Sequence, residues 1–336
     1  MSFFTGSSNR TSTRQPVMTA DTTDPSYWLN WRFLVCAVWI LSTIVAASIL
    51  IWKYEGFKKS TTGRRTEDER EAVGALYEGE VWKTCLKGIH PAWLLAYRVI
   101  AFFVMLGLIV ANVALDGGGI FYYYTQWTFA LVTFYFGFGS SVSLCGIYKH
   151  RNRIGDDEER GAYVAPTLGE SGNTFSGSKR LTHEEYPGRE GAGACEYIFQ
   201  IIYQMCGGAA VLTDCVYWLI LSKSDTLDFM LVSMHSVNAV FLLGEAVLNN
   251  MRFPLFRIAY FVLWTGVFVI FQWIFHAFKS MAWPYSFLDL SSSYAPLWYI
   301  GIGLMHLPCY GFFAFIIRMK NLLLSRAFPE SYQSER

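Results

Sequence analysis

The stretch FLVCAVWILSTIVAASILIW, Phe33 to Trp52, decides the fold class of this protein. Its twenty residues carry no charge, and Arg32 and Lys53 flank it directly. About 20 apolar residues in a helix cover the roughly 30 Å of hydrocarbon in a bilayer, and a helix satisfies its own backbone hydrogen bonds where water is absent. The stretch therefore predicts a transmembrane helix.

Six further segments have the length and apolar composition of membrane spans. They run from 91 to 114, 120 to 148, 197 to 221, 229 to 248, 258 to 275 and 297 to 317. Across all 336 residues, 53% are apolar and 16% are charged, whereas a soluble domain has roughly 25% charged residues. The sequence predicts an all-α, polytopic integral membrane bundle of about seven transmembrane helices.

The segments between the spans set the domain organisation and the orientation. We expect a polar N-terminal tail over 1–32, the bundle over 33–317 with long loops at 53–90 and 149–194, and a second tail over 318–336. One side of the membrane holds 21 Lys and Arg residues and the other five, and the basic side is usually cytoplasmic. This predicts an outside N-terminus and a cytoplasmic C-terminus, in the plasma membrane or an endomembrane, and the sequon Asn9-Arg10-Thr11 agrees.

Composition and spacing argue against several classes of function. The 27 basic and 26 acidic residues nearly cancel, so no basic stripe is available for a nucleic-acid partner. The seven cysteines form no C-x-x-C pair and the six histidines no cluster, so we expect neither a bound metal nor a cofactor. The chain also lacks the motifs of rhodopsin-like receptors.

Titratable groups at membrane depth are costly and are candidates for function. Thr125, Asp214 and His235 are predicted to lie about 8 to 10 Å below the outer end of their helices, at about 1.5 Å per residue. A hydroxyl, an imidazole and a carboxylate at one level can act as nucleophile, general base and orienting acid.

Structural interpretations of the same residues stay open. A membrane Thr often bonds the carbonyl one turn back on its own helix, and Asp214 and His235 can simply tie two helices together. Glu245 is expected to be neutralised by Arg252 or Arg257, and Arg98 to extend toward the cytoplasm. His306 is expected to make one hydrogen bond between helices.

Short motifs around these residues resemble a known family. Tyr123-Tyr124-Thr125-Gln126-Trp127, Met234-His235-Ser236 with Glu245 ten residues after the His, and the run Trp283 to Leu288 are similar to the androgen-induced family of membrane proteins. The resemblance implies that Thr125 and His235 hydrolyse fatty-acid esters of hydroxy fatty acids. The many aromatic residues also resemble the rolling-stone family, which is associated with cell fusion and other membrane processes.

Two functions of different classes follow from the sequence. In the first, Thr125, His235 and Asp214 form an intramembrane hydrolase that takes a lipid ester from the surrounding membrane lipids. In the second, the same residues hold helices together in a non-catalytic scaffold or adaptor. Because catalysis needs a cavity that reaches Thr125 and His235, the shape of the space between them discriminates the two functions.

Overall fold

The computed structural model of the protein describes residues 20–56, 76–77, 79–162, 192–221 and 229–333. The sequon at Asn9 and residues 163–191 of the predicted loop 149–194 lie outside the described residues.

Seven long helices form the bundle in the described part of the chain and confirm the predicted all-α membrane bundle. They are α1 Trp31–Glu55, α2 Pro91–Asp116, α3 Tyr124–Ala162, α4 Ala194–Val216, α5 Phe229–Leu248, α6 Ile258–Phe278 and α7 Ala295–Ala327. Each one is long and apolar enough to cross a bilayer. The protein is therefore a multi-pass membrane protein.

Local sequence explains where α2 begins and ends and where α3 begins. Pro91 stands in the first turn of α2, where its missing N–H costs no hydrogen bond. Gly117 ends α2 with φ +77°, a backbone region that glycine enters without strain. The chain then forms the 3₁₀ turn Gly118–Tyr122, so α3 begins at Tyr124 and not at Ile120. Thr125 consequently lies in the first turn of α3, nearer the helix end than its sequence position predicts.

Helix α4 lies at the centre of the bundle and contacts α3, α5, α6 and α7. Its middle presents Gly207 and Gly208, against which two phenyl rings pack closely. A Cβ atom on Gly207 would stand 2.6 Å from Phe313, and one on Gly208 would stand 2.6 Å from Phe261. Small residues of this kind let membrane helices approach closely and gain van der Waals contact. This contact matters in a membrane because lipid supplies no hydrophobic force to drive helices together.

The connecting segments cover the two ends of the bundle. At the predicted outer end, the Tyr27 hydroxyl donates to Asp289 Oδ1 at 2.8 Å and accepts from Trp283 Nε1 at 3.0 Å. This ties the segment before α1 to the loop between α6 and α7. At the other end, the backbone N–H of Lys87 donates to the Ser331 carbonyl at 2.7 Å, so the C-terminal segment packs on the loop before α2.

The buried arginines pair differently from the sequence prediction. The ion-pair partner of Glu245 is Arg98, and not Arg252 or Arg257 as predicted. The Nε atom of Arg98 lies 3.1 Å from both carboxylate oxygens. Both side chains are fully buried, so the expected extension of Arg98 toward the cytoplasm is also wrong. The reason is that α2 and α5 are neighbours in the bundle, which brings the two charges together between their facing sides.

Candidate functional site

A cavity of about 60 Å³ lies at the predicted outer end of the bundle. Thr125 from α3, His235 from α5 and Thr265 from α6 contribute to its wall, together with Tyr285 of the loop between α6 and α7. The remaining lining atoms are almost all apolar. Two of the three sequence-predicted site residues, Thr125 and His235, therefore face one space.

His235 is buried in α5 and held by an aromatic ring. The phenol ring of Tyr217 stacks on the imidazole with centroids 3.8 Å apart and planes 10° apart. Tyr217 begins the π-helical turn Tyr217–Leu221 that follows α4, a distortion often found at functional sites. Stacking on one face fixes the plane of the imidazole relative to the cavity.

Asp214, the third predicted residue, lies behind the imidazole and outside the cavity wall. Its Oδ1 stands 3.8 Å from His235 Nδ1, which is longer than a hydrogen bond. Within the described part of the chain, neither of these two buried atoms has a hydrogen-bond partner. A buried donor and acceptor that face each other across 3.8 Å can form a hydrogen bond after a shift of less than 1 Å.

Thr125 does not bond the carbonyl one turn back. That carbonyl, on Phe121, accepts from Trp127 Nε1 at 2.8 Å. The backbone N–H of Thr125 instead donates to the Tyr285 hydroxyl at 3.4 Å. Burial raises the pKa of Tyr285 to about 12, so this phenol keeps its proton at neutral pH and can donate it.

No family model, curated protein or solved structure matches this chain. Among the described residues, no group of three or more His, Cys, Asp or Glu side chains is arranged to hold a metal ion.

The remaining predicted polar groups have structural partners. His306 Nε2 lies 2.9 Å from Thr265 Oγ1, in agreement with the single hydrogen bond between helices that the sequence predicts. Thr265 Oγ1 in turn lies 2.8 Å from the Tyr124 hydroxyl, so three helices share this short network. The Gly117 to Gly119 tract forms the turn between α2 and α3.

Tyr217 and Tyr285 were missed as site residues by sequence reasoning. Tyr217 follows Asp214 by three residues, which places the two on one face of a helix, and this spacing is the signal that could have found it. Tyr285 belongs to the run Trp283 to Leu288, but its contact with Thr125 joins positions 160 residues apart. Only the fold reveals such a contact.

Proposed function

We propose that this multi-pass membrane protein hydrolyses lipid esters, with Thr125 as the nucleophile and His235 as the general base. The observation that carries the proposal is that Thr125 and His235 line one apolar cavity, with a carboxylate directly behind the imidazole. A hydroxyl, an imidazole and a carboxylate in that order are the parts of an activated nucleophile.

The proposed reaction has two halves. His235 takes the hydroxyl proton of Thr125 while Oγ1 attacks the ester carbonyl carbon. The ester C–O bond then breaks, and the departing alcohol takes that proton from His235, which leaves the acyl group on Thr125. In the second half, water gives its proton to His235 and attacks the acyl carbon, and the fatty acid leaves as Thr125 regains its proton.

Two neighbours support these steps. Asp214 stabilises the imidazolium that forms at His235, and their 3.8 Å separation is typical of a catalytic contact that tightens when substrate binds. The protonated phenol of Tyr285, already in contact with Thr125, can donate to the oxyanion of each tetrahedral intermediate.

The surroundings of the cavity favour an apolar substrate. Its lining offers few polar atoms, as expected of a site that receives an acyl chain. The resemblance to the androgen-induced family suggests fatty-acid esters of hydroxy fatty acids as the substrate class. With the N-terminus outside, as proposed from the distribution of basic residues, the cavity lies where water from the outer face and lipid from the bilayer can both enter.

The alternative function, a non-catalytic scaffold of rolling-stone type, uses the same contacts only to hold helices together. In that case Asp214 and His235 link α4 to α5, and the cavity is a small packing defect. The two functions differ in one measurable outcome, which is turnover.

The test is hydrolysis of a fatty-acid ester of a hydroxy fatty acid by the purified full-length protein in lipid nanodiscs. We expect turnover that falls by roughly 100-fold or more in Thr125→Val and in His235→Gln. Thr133→Val and His276→Gln are matched controls that should retain it. Thr133 is buried but bonds its own helix at the Phe129 carbonyl, and His276 stacks on Trp283 at 3.8 Å, as His235 does on Tyr217.

Absence of turnover by correctly folded wild type on saturated, unsaturated and branched esters would contradict the proposal and favour the scaffold. Equal losses in the site variants and their matched controls would also contradict it, because they would reflect stability and not chemistry.

A further inference from the structure

A second and larger cavity, of about 260 Å³, lies beside the first. It is a cleft between α1, α6 and α7, and apolar side chains form nearly all of its surface. At its rim, Leu304 and Leu307 are 52% and 62% exposed. Because these helices cross the membrane, the rim opens toward lipid and not toward water.

The cleft shares a wall with the candidate site. Five residues line both cavities: Thr265, Val269, Phe287, Leu288 and Ile302. A ligand in the cleft therefore needs to pass only these side chains to reach the space that Thr125 and His235 face.

The length of the cleft fits one acyl chain. On α1 its lining runs from Trp39 to Leu50, which is ~16 Å along the helix at about 1.5 Å per residue. The hydrocarbon core of a bilayer is about 30 Å thick and holds two layers of chains, so one chain spans about half of it.

We propose that this cleft binds the acyl chain of a membrane lipid ester and directs its carbonyl into the cavity of Thr125 and His235. The identity of the ester end rests on the proposed hydrolase function, whereas binding of the chain does not. The chain enters sideways from the bilayer between α1 and α7, and its far end lies toward Ile258 at the opposite end of α6.

The experiment uses a fatty-acid ester probe with a diazirine on its acyl chain, photolysed with the full-length protein in nanodiscs. Val262 lines the cleft, whereas Val267 lies on the same helix, 54% exposed, and does not line it. Val262→Trp and Val267→Trp are thus matched variants. We expect adducts on 39–50 and 258–269 in wild type, and a loss of roughly tenfold in Val262→Trp but not in Val267→Trp, because the indole fills the chain's space.

Fluorophosphonate labelling of Thr125 in the same preparations separates this inference from the proposed function. Val262→Trp should slow labelling by a long-chain fluorophosphonate and leave labelling by a short-chain one unchanged, which also shows that the variant is folded. Equal photolabelling of both Trp variants, or adducts spread over the lipid-facing surface, would overturn the cleft assignment even if Thr125 is labelled. Adducts confined to the cleft without labelling of Thr125 would support the cleft assignment and contradict the proposed hydrolase function.

Discussion

Replacing Arg98 by Met should strongly destabilise the protein, because it leaves a carboxylate buried without its cation. Arg98 and Glu245 are fully buried, and Arg98 Nε lies 3.1 Å from both carboxylate oxygens. Among the described residues, Glu245 would retain only the Tyr135 hydroxyl at 2.8 Å and the Asn249 amide at 3.4 Å. Removing one partner of a buried ion pair typically costs about 3–5 kcal/mol, so we expect a loss of that size.

The assay is equilibrium unfolding in mixed micelles, in which the unfolding free energy of Arg98→Met is compared with those of two other variants. Arg326→Met replaces an exposed arginine in the last turn of α7 and should cost no more than about 1 kcal/mol. The double variant Arg98→Met, Glu245→Gln removes both charges and should recover most of the loss. Equal costs for Arg98→Met and Arg326→Met, or no recovery in the double variant, would refute the assignment of a buried ion pair.

Three further outcomes test other parts of the structure. Gly208→Ala should cost about 1–3 kcal/mol of unfolding free energy, because its Cβ would stand 2.6 Å from a phenyl carbon, whereas Gly311→Ala, with open space around it, should cost nothing. Tyr27→Phe should speed hydrogen exchange in the loop between α6 and α7, because Asp289 loses its bond to the phenol; unchanged exchange would contradict this tie. Burial raises the pKa of Tyr285 to about 12, so the unfolded chain releases this proton before the folded one as pH rises. Tyr285 should then contribute a fall in stability of about 1 kcal/mol per pH unit above pH ~10, measured as the difference in slope between wild type and Tyr285→Phe.

The lengths of the apolar segments predicted the helical membrane bundle well. Each membrane helix must supply about 20 apolar residues by itself, so its signal is local in sequence. The bundle class and the seven helices follow from that alone. The start of α3 differed because the Gly117 to Gly119 tract delays the helix by one 3₁₀ turn, which apolar content does not reveal.

Which helices are neighbours was not predictable, because lipid-facing and helix-facing apolar side chains look alike in sequence. Arg98 was for this reason not recognised as the partner of Glu245. Depth counting placed Thr125, His235 and Asp214 at one level, but it could not show that Thr125 and His235 face one cavity. It also could not show that Tyr285 contacts Thr125 from a loop.

The central claim is that the hydroxyl of Thr125 is an activated nucleophile. The most direct measurement is to treat the full-length protein in membranes with a lipophilic fluorophosphonate and to identify the modified residue by peptide mass spectrometry. We predict an adduct on Thr125 that is lost in His235→Gln and retained in His276→Gln. An adduct elsewhere, labelling that persists in His235→Gln, or no adduct on correctly inserted wild type would contradict the claim.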